Sequence, residues 1–142
     1  MNNPPLGLVH EATLHIDETL VVPNLPKALA AMADMPPVFA TAYMIAFIEA
    51  ACIEALAPYL EEGEATVGTH VDVSHSAATP VGLSVTAEVT LLACERRKFR
   101  FQLRCHDGVE TIGQGFHERA LISRSRFAER LEAKRLRADE RG

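Results

Sequence analysis

Residues 41–57, TAYMIAFIEAACIEALA, decide how this chain is read. Glu49 and Glu54 are the only charged residues in the run. Apolar side chains fall on nearly every side of it, which predicts a helix enclosed by a fold rather than one lying on a surface. Counted from Val38 to Leu60 the stretch is long enough to span a bilayer. Both glutamates would then sit near mid-membrane, where charge is expensive, and Pro58 would end the helix early. A central helix wrapped by a sheet explains the same residues, so a soluble chain with no membrane partner is expected.

The segments on either side supply that sheet. Upstream, from about Gly7 to Val22, LVHEATLHIDETLVV suggests a first strand, bent or interrupted. Residues 24–37 are punctuated by prolines and read as a lid over whatever the helix faces. After the helix, Glu61, Glu62 and Gly63 make a turn, and four strands follow: Ala65 to Ser76, Leu83 to Cys94, Arg97 to His106 and Val109 to Ile122. Alternation is plainest in the middle two. Val85, Ala87, Val89 and Leu91 oppose Thr86, Glu88 and Thr90, and Phe99, Phe101, Leu103 and Cys105 oppose Lys98, Arg100, Gln102 and Arg104. His106-Asp107-Gly108 is a hairpin signal. Residues 123–142 read as a charged C-terminal helix with a thin stripe of Phe127, Leu131 and Leu136, frayed at its end. This order describes an α+β protein of one domain, 1–142, whose antiparallel sheet curls around one long helix: the hotdog architecture. One such sheet covers one side of its helix, so a homodimer is expected at minimum, with a tetramer left open.

Composition narrows the function classes. Hydrophobic residues make up 48% of the 142 and charged residues 23%, ordinary for a globular domain large enough to hold a core. A net charge of −5 argues against nucleic acid as a partner, and the basic cluster ERRKFRFQLR carries no nucleic-acid motif. Cys52, Cys94 and Cys105 lie far apart without a CxxC pair, reading as reduced thiols of a cytoplasmic protein rather than disulfides or metal ligands. MNNPPLGLVHEA has neither a basic n-region nor a long apolar h-region, so no signal peptide is expected. No motif calls for a cofactor.

Three polar residues stand out against this apolar background. Successive helix residues turn by about 100°, which projects Glu49 among Ile45, Ile53 and Leu56. A carboxylate there is expected to be desolvated, with a raised pKa suited to a base or nucleophile. Glu54, beside Phe47, fits the same role on periodicity alone. Thr41 stands where the helix needs an N-cap, and capping is the simplest role for it. His75 closes the strand VGTHVDVSH and shares parity with Val67, Thr69, Val71 and Val73, so it is expected to point to the core or a pocket. His70 and Asp72 then fall on the opposite, solvated face; two such residues without a third do not make a metal site. Gly68 marks a place where a ligand approaches the backbone.

VFATAYMIAFIEAAC, VGTHVDVSHSAATPVG and GQGFHERALI, in that order and spacing, resemble the fluoroacetyl-CoA thioesterase family of hotdog thioesterases. The resemblance runs in register from Val38 to Ile122. It implies thioester hydrolysis of an acyl-CoA, with a catalytic threonine–glutamate–histidine set at Thr41, Glu49 and His75. It also implies a backbone N–H at Gly68 facing the thioester carbonyl, and a substrate-binding or site-shaping arginine at Arg119. Family members specific for the fluorinated substrate are similar but carry phenylalanines in the lid. Here LPKALAAMADMPP has alanines, Met32 and Met35, which implies a larger, less selective pocket. Glu49 would attack the carbonyl or activate water, and either route stays open. Two other readings on the same fold are a non-catalytic acyl-CoA or small-ligand binder and an enoyl-CoA hydratase. For the latter the aspartate–histidine pair is missing.

Overall fold

A computed structural model describes residues 1–141 of the chain; Gly142, the last residue of the expected C-terminal helix, lies outside the described residues. The elements are β1 (Val9–His15), α1 (Thr41–Leu56), β2 (Glu64–Val73), β3 (Ser84–Glu95), β4 (Lys98–His106), β5 (Thr111–Ser123) and α2 (Arg124–Arg141). All strand pairs are antiparallel, in the order β1-β3-β4-β5-β2, so β2 joins the sheet at its far edge beside β5.

The alternation read in β3 and β4 sets the core. Val85, Ala87, Val89 and Leu91 are fully buried, as are Phe99, Phe101, Leu103 and Cys105 or nearly so. Against them α1 places Met44, Phe47, Ile48, Ala51, Cys52, Ala55 and Leu56. The helix lies against β1 and β3. Its opposite side leaves Ala42, Ala46, Ala50 and Ile53 exposed, an apolar strip with one large side chain. The first strand is shorter than expected: it ends at His15, and Asp17 then accepts hydrogen bonds from the Thr19 backbone and hydroxyl to start a turn of 3-10 helix. Helix α2 is regular through Arg141, where fraying is expected, and has no buried residue.

β2 departs from the sequence reading in a way that matters for the site. Gly68 pairs with Arg119 and His70 with Glu118, so Thr69 is an extra residue bulged out of the ladder. Paired residues share a face, so Thr66 and Gly68 face inward before the bulge and Val71 and Val73 after it. Val67 and Thr69 therefore do not share a face with His75, as simple alternation predicts. The regular strand ends at Val73 rather than Ser76. Even so, Ser74 and Ser76 N–H groups still donate to the Gln114 and Ile112 carbonyls, carrying His75 along β5. Close approach demands glycine on the β5 side: a methyl at Gly113 would lie 2.4 Å from the Ser74 carbonyl oxygen.

The segment 24–37 is exposed and held at a neck. The Val22 N–H donates to the Val38 carbonyl at 3.0 Å, and the Ala40 N–H to the Leu20 carbonyl at 3.0 Å. Val21 bridges Phe39, and both are buried. The loop above carries Leu29, Met32 and Met35 with much of their surface exposed.

Candidate active site

Thr41 opens α1, but it does not cap it. Ala40 is the N-cap and makes no side-chain cap bond, while Thr41 Oγ1 lies 2.8 Å from His75 Nδ1. The capping role expected for Thr41 is thus replaced by a hydrogen bond to the imidazole. His75 packs edge-on to Phe39, with ring centroids 6.3 Å apart. Its Nε2 is buried and has no hydrogen-bond partner among the described residues. Burial pushes the His75 pKa below its ordinary value, so this imidazole is neutral near pH 7.

A second group gathers two helical turns away. Arg119, only 3% exposed, spends its donors on fixed acceptors. Nη1 donates to Glu49 Oε2 at 2.8 Å and to His117 Nε2 at 3.1 Å. Nε donates to Thr66 Oγ1 and Nη2 to the Thr66 carbonyl, both at 2.9 Å. The arginine therefore braces a carboxylate of its own chain and is not free to reach a phosphate. Gly68 adjoins this group: a methyl there would stand 2.6 Å from Glu49 Oε2.

Glu49 corrects the sequence reading. It does not sit desolvated among apolar groups; its side chain is 37% exposed and ion-paired. Oε2 is held by Arg119, while Oε1 has no hydrogen bond among the described residues. Glu54, the competing carboxylate, lies on the surface with Oε2 2.8 Å from His10 Nε2. Cys52 is near Glu49 and Arg119, but burial drives its pKa to about 12, which removes it as a nucleophile.

The five expected site residues thus form two sets. Thr41 meets His75, and Glu49 meets Gly68 and Arg119. The eight helical steps from Thr41 to Glu49 span about 12 Å of helix, and no hydrogen bond or ion pair links the two sets among the described residues. His117, buried between Gly68 and Arg119, was missed. Its signal in the sequence is a histidine in GQGFHERALI two residues before the arginine, hence on the same face of the strand.

Known proteins share this arrangement of strands and helices. A family model described as fluoroacetyl-CoA-specific thioesterase matches residues 25–125. The fluoroacetyl-CoA thioesterase of Streptantibioticus cattleyicolor is 46% identical over 102 residues, 72% of this chain and 73% of that one. A solved structure of the fluoroacetyl-CoA thioesterase FlK superposes with a TM-score of 0.91 at 38% identity, covering 94% of this chain and 98% of that one. A hot-dog-like protein from Thermanaerovibrio acidaminovorans superposes with a TM-score of 0.78 at 23% identity, over 92% of each chain, and shares the fold. A sheet curled on one helix, matched over most of its length at this identity, makes the chain a hotdog-fold member of the fluoroacetyl-CoA-specific thioesterase family.

Proposed function

We propose that this protein is a thioesterase that hydrolyses a small acyl-CoA to the free acid and CoA, without restriction to fluoroacetyl-CoA. The observation that carries the reading is the Glu49 carboxylate, fixed by Arg119 through one oxygen and set against the strand glycine, with its other oxygen unbonded. In this reading the Gly68 N–H hydrogen-bonds the thioester oxygen and stabilises its charge as it grows. Glu49 Oε1 then either attacks the carbonyl carbon, giving an anhydride that water cleaves, or takes a proton from the attacking water. The C–S bond breaks, and the departing thiolate is protonated. His75, oriented by Thr41, is the group proposed to move that proton.

The breadth of substrate rests on the lid. Alanines and two methionines at 28–35 leave more room, and a more adaptable wall, than aromatic side chains would. A homodimer completes the site. The exposed strip Ala42, Ala46, Ala50 and Ile53 suits a self-complementary contact between two copies of α1. Antiparallel pairing of those helices brings the Thr41–His75 pair of one copy towards Glu49 of the partner subunit, resolving the 12 Å separation noted above.

The test is free-thiol release from a panel of short, branched, aromatic and fluorinated acyl-CoAs, run beside Glu49→Gln. Turnover across several acyl groups that drops by at least ~10²-fold in the variant is the expected outcome. Saturable CoA-ester binding with no release from any ester would make the protein a binder instead.

A further inference from the structure

One buried titratable side chain lies inside the site without a role. His117 is 1% exposed and stands on β5 two residues before Arg119. The chemistry of its neighbours fixes its tautomer. Nδ1 is 2.8 Å from the His70 carbonyl oxygen, which can only accept, so Nδ1 carries the proton. Nε2 is 3.1 Å from Arg119 Nη1, which can only donate, so Nε2 is bare. Neutral imidazole is the one state that satisfies both.

Each of these bonds reaches a different half of the site. Arg119 Nη1 gives one N–H to His117 and the other to Glu49 Oε2. Removing the imidazole would leave a buried guanidinium N–H without an acceptor and one restraint fewer on the carboxylate it holds. On the other side, the His70 carbonyl belongs to the residue just past the bulge, so the same ring fastens the bulged backbone beside Gly68 to β5. The ring also packs against the glycine itself: a methyl at position 68 would lie 3.2 Å from His117 Cε1.

We propose that His117 is a positioning residue, whose neutral ring sets the distance between the Glu49 carboxylate and the Gly68 backbone by holding Arg119 with one nitrogen and the bulge with the other. This rests on the roles given to Glu49 and Gly68 above. The groups facing the ring are Arg119 on β5, Glu49 on α1 and the His70 carbonyl on β2; Glu118, next in the chain, turns to the other face of the strand beside Arg100 and acts on the ring only by its charge. Burial, aided by the Arg119 cation, holds the ring's pKa below its ordinary value against the His70 carbonyl and the two carboxylates. A proton on Nε2 would set two donors against each other at Arg119. It would also aim a charged N–H at Glu49 Oε2, now 4.0 Å away, pulling the carboxylate from its place. Activity therefore falls as the pH drops through the ring's titration and is insensitive to it above.

The experiment compares the full-length wild type with His117→Phe and His117→Gln. Glutamine offers Arg119 a neutral carbonyl acceptor and never becomes a cation. The Phe variant is expected to lose ~10²-fold in kcat, the scale of a misplaced reacting group, with KM nearly unchanged. The Gln variant should recover most of that loss at neutral pH and show a shallower acid limb in its rate profile. Independently of turnover, the Arg119 Nη1–H resonances, bonded to His117 and Glu49, should exchange slowly with solvent in wild type and Gln, and fast in Phe. If the Phe variant does not fold, the acid limb and the Arg119 signal of the Gln variant carry the test. An active wild type with kcat and acid limb unchanged in the variants overturns the positioning role. A wild type silent towards every thioester overturns the functional reading, and this role with it, whatever the Arg119 signal does.

Discussion

Gly68 is where one atom decides most. An added methyl would meet Glu49 Oε2 at 2.6 Å, His117 Cε1 at 3.2 Å and Arg119 Nη1 at 3.4 Å. The nearest of these is the end of a flexible side chain, so Gly68→Ala is expected to fold and to displace the carboxylate rather than break the sheet. Thiol release should fall by ~10²-fold while the melting temperature stays close to wild type. Undiminished turnover in Gly68→Ala would separate this glycine from the chemistry. Single residues were also the hardest part of the site to read from sequence. Glu49 looked desolvated because helical projection shows only its own helix, whereas the guanidinium that pairs with it comes from a strand seventy residues on. Thr41 looked like a cap because its competing partner, His75, is likewise distant in the chain.

Elements were more legible where burial acts on whole faces. Alternation in β3 and β4 placed eight core residues correctly because one slip in register would turn the entire set outward. The apolar run of α1 was legible for the same reason. β2 resisted, because counting by twos assumes an uninterrupted ladder, and nothing in VGTHVDVSH announces the extra residue except its glycine. Gly68 and His75 are seven positions apart, an odd number, so an unbroken strand would turn them to opposite faces. The bulge at Thr69 lets both face inward. What matters at 69 is then the presence of a residue, not its identity. Thr69→Ser should keep turnover within a few-fold of wild type. Deletion of Thr69 should leave a folded, less stable protein with no measurable turnover, because either the glycine or the histidine is forced out. A deletion variant that retains turnover would refute this account of β2.

At the scale of the whole molecule, a site completed between two copies has a signature in mixtures. Glu49→Gln and His75→Asn are each expected to be inactive alone. Co-expressed, half of randomly paired dimers are mixed, and each mixed dimer contains one site with both intact groups. Activity should return to roughly a quarter of wild type. No recovery in a dimer verified by light scattering would mean that each chain works by itself. Sequence suggests the proposed pairing only through the excess of apolar surface on α1; the strip of small residues on which that proposal rests becomes visible once the sheet has covered the rest.

The neck that closes the loop at 24–37 separates two kinds of change. Backbone bonds between Leu20–Val22 and Val38–Ala40 fix the start of α1, and with it Thr41, whatever lies in the loop above. If the loop sets the acyl preference, as proposed, reaction and selectivity sit on parts of the chain that can be altered separately. Residues of the loop could then be replaced while the backbone that sets Thr41 stays as it is, as a tool changes its bit and keeps its chuck.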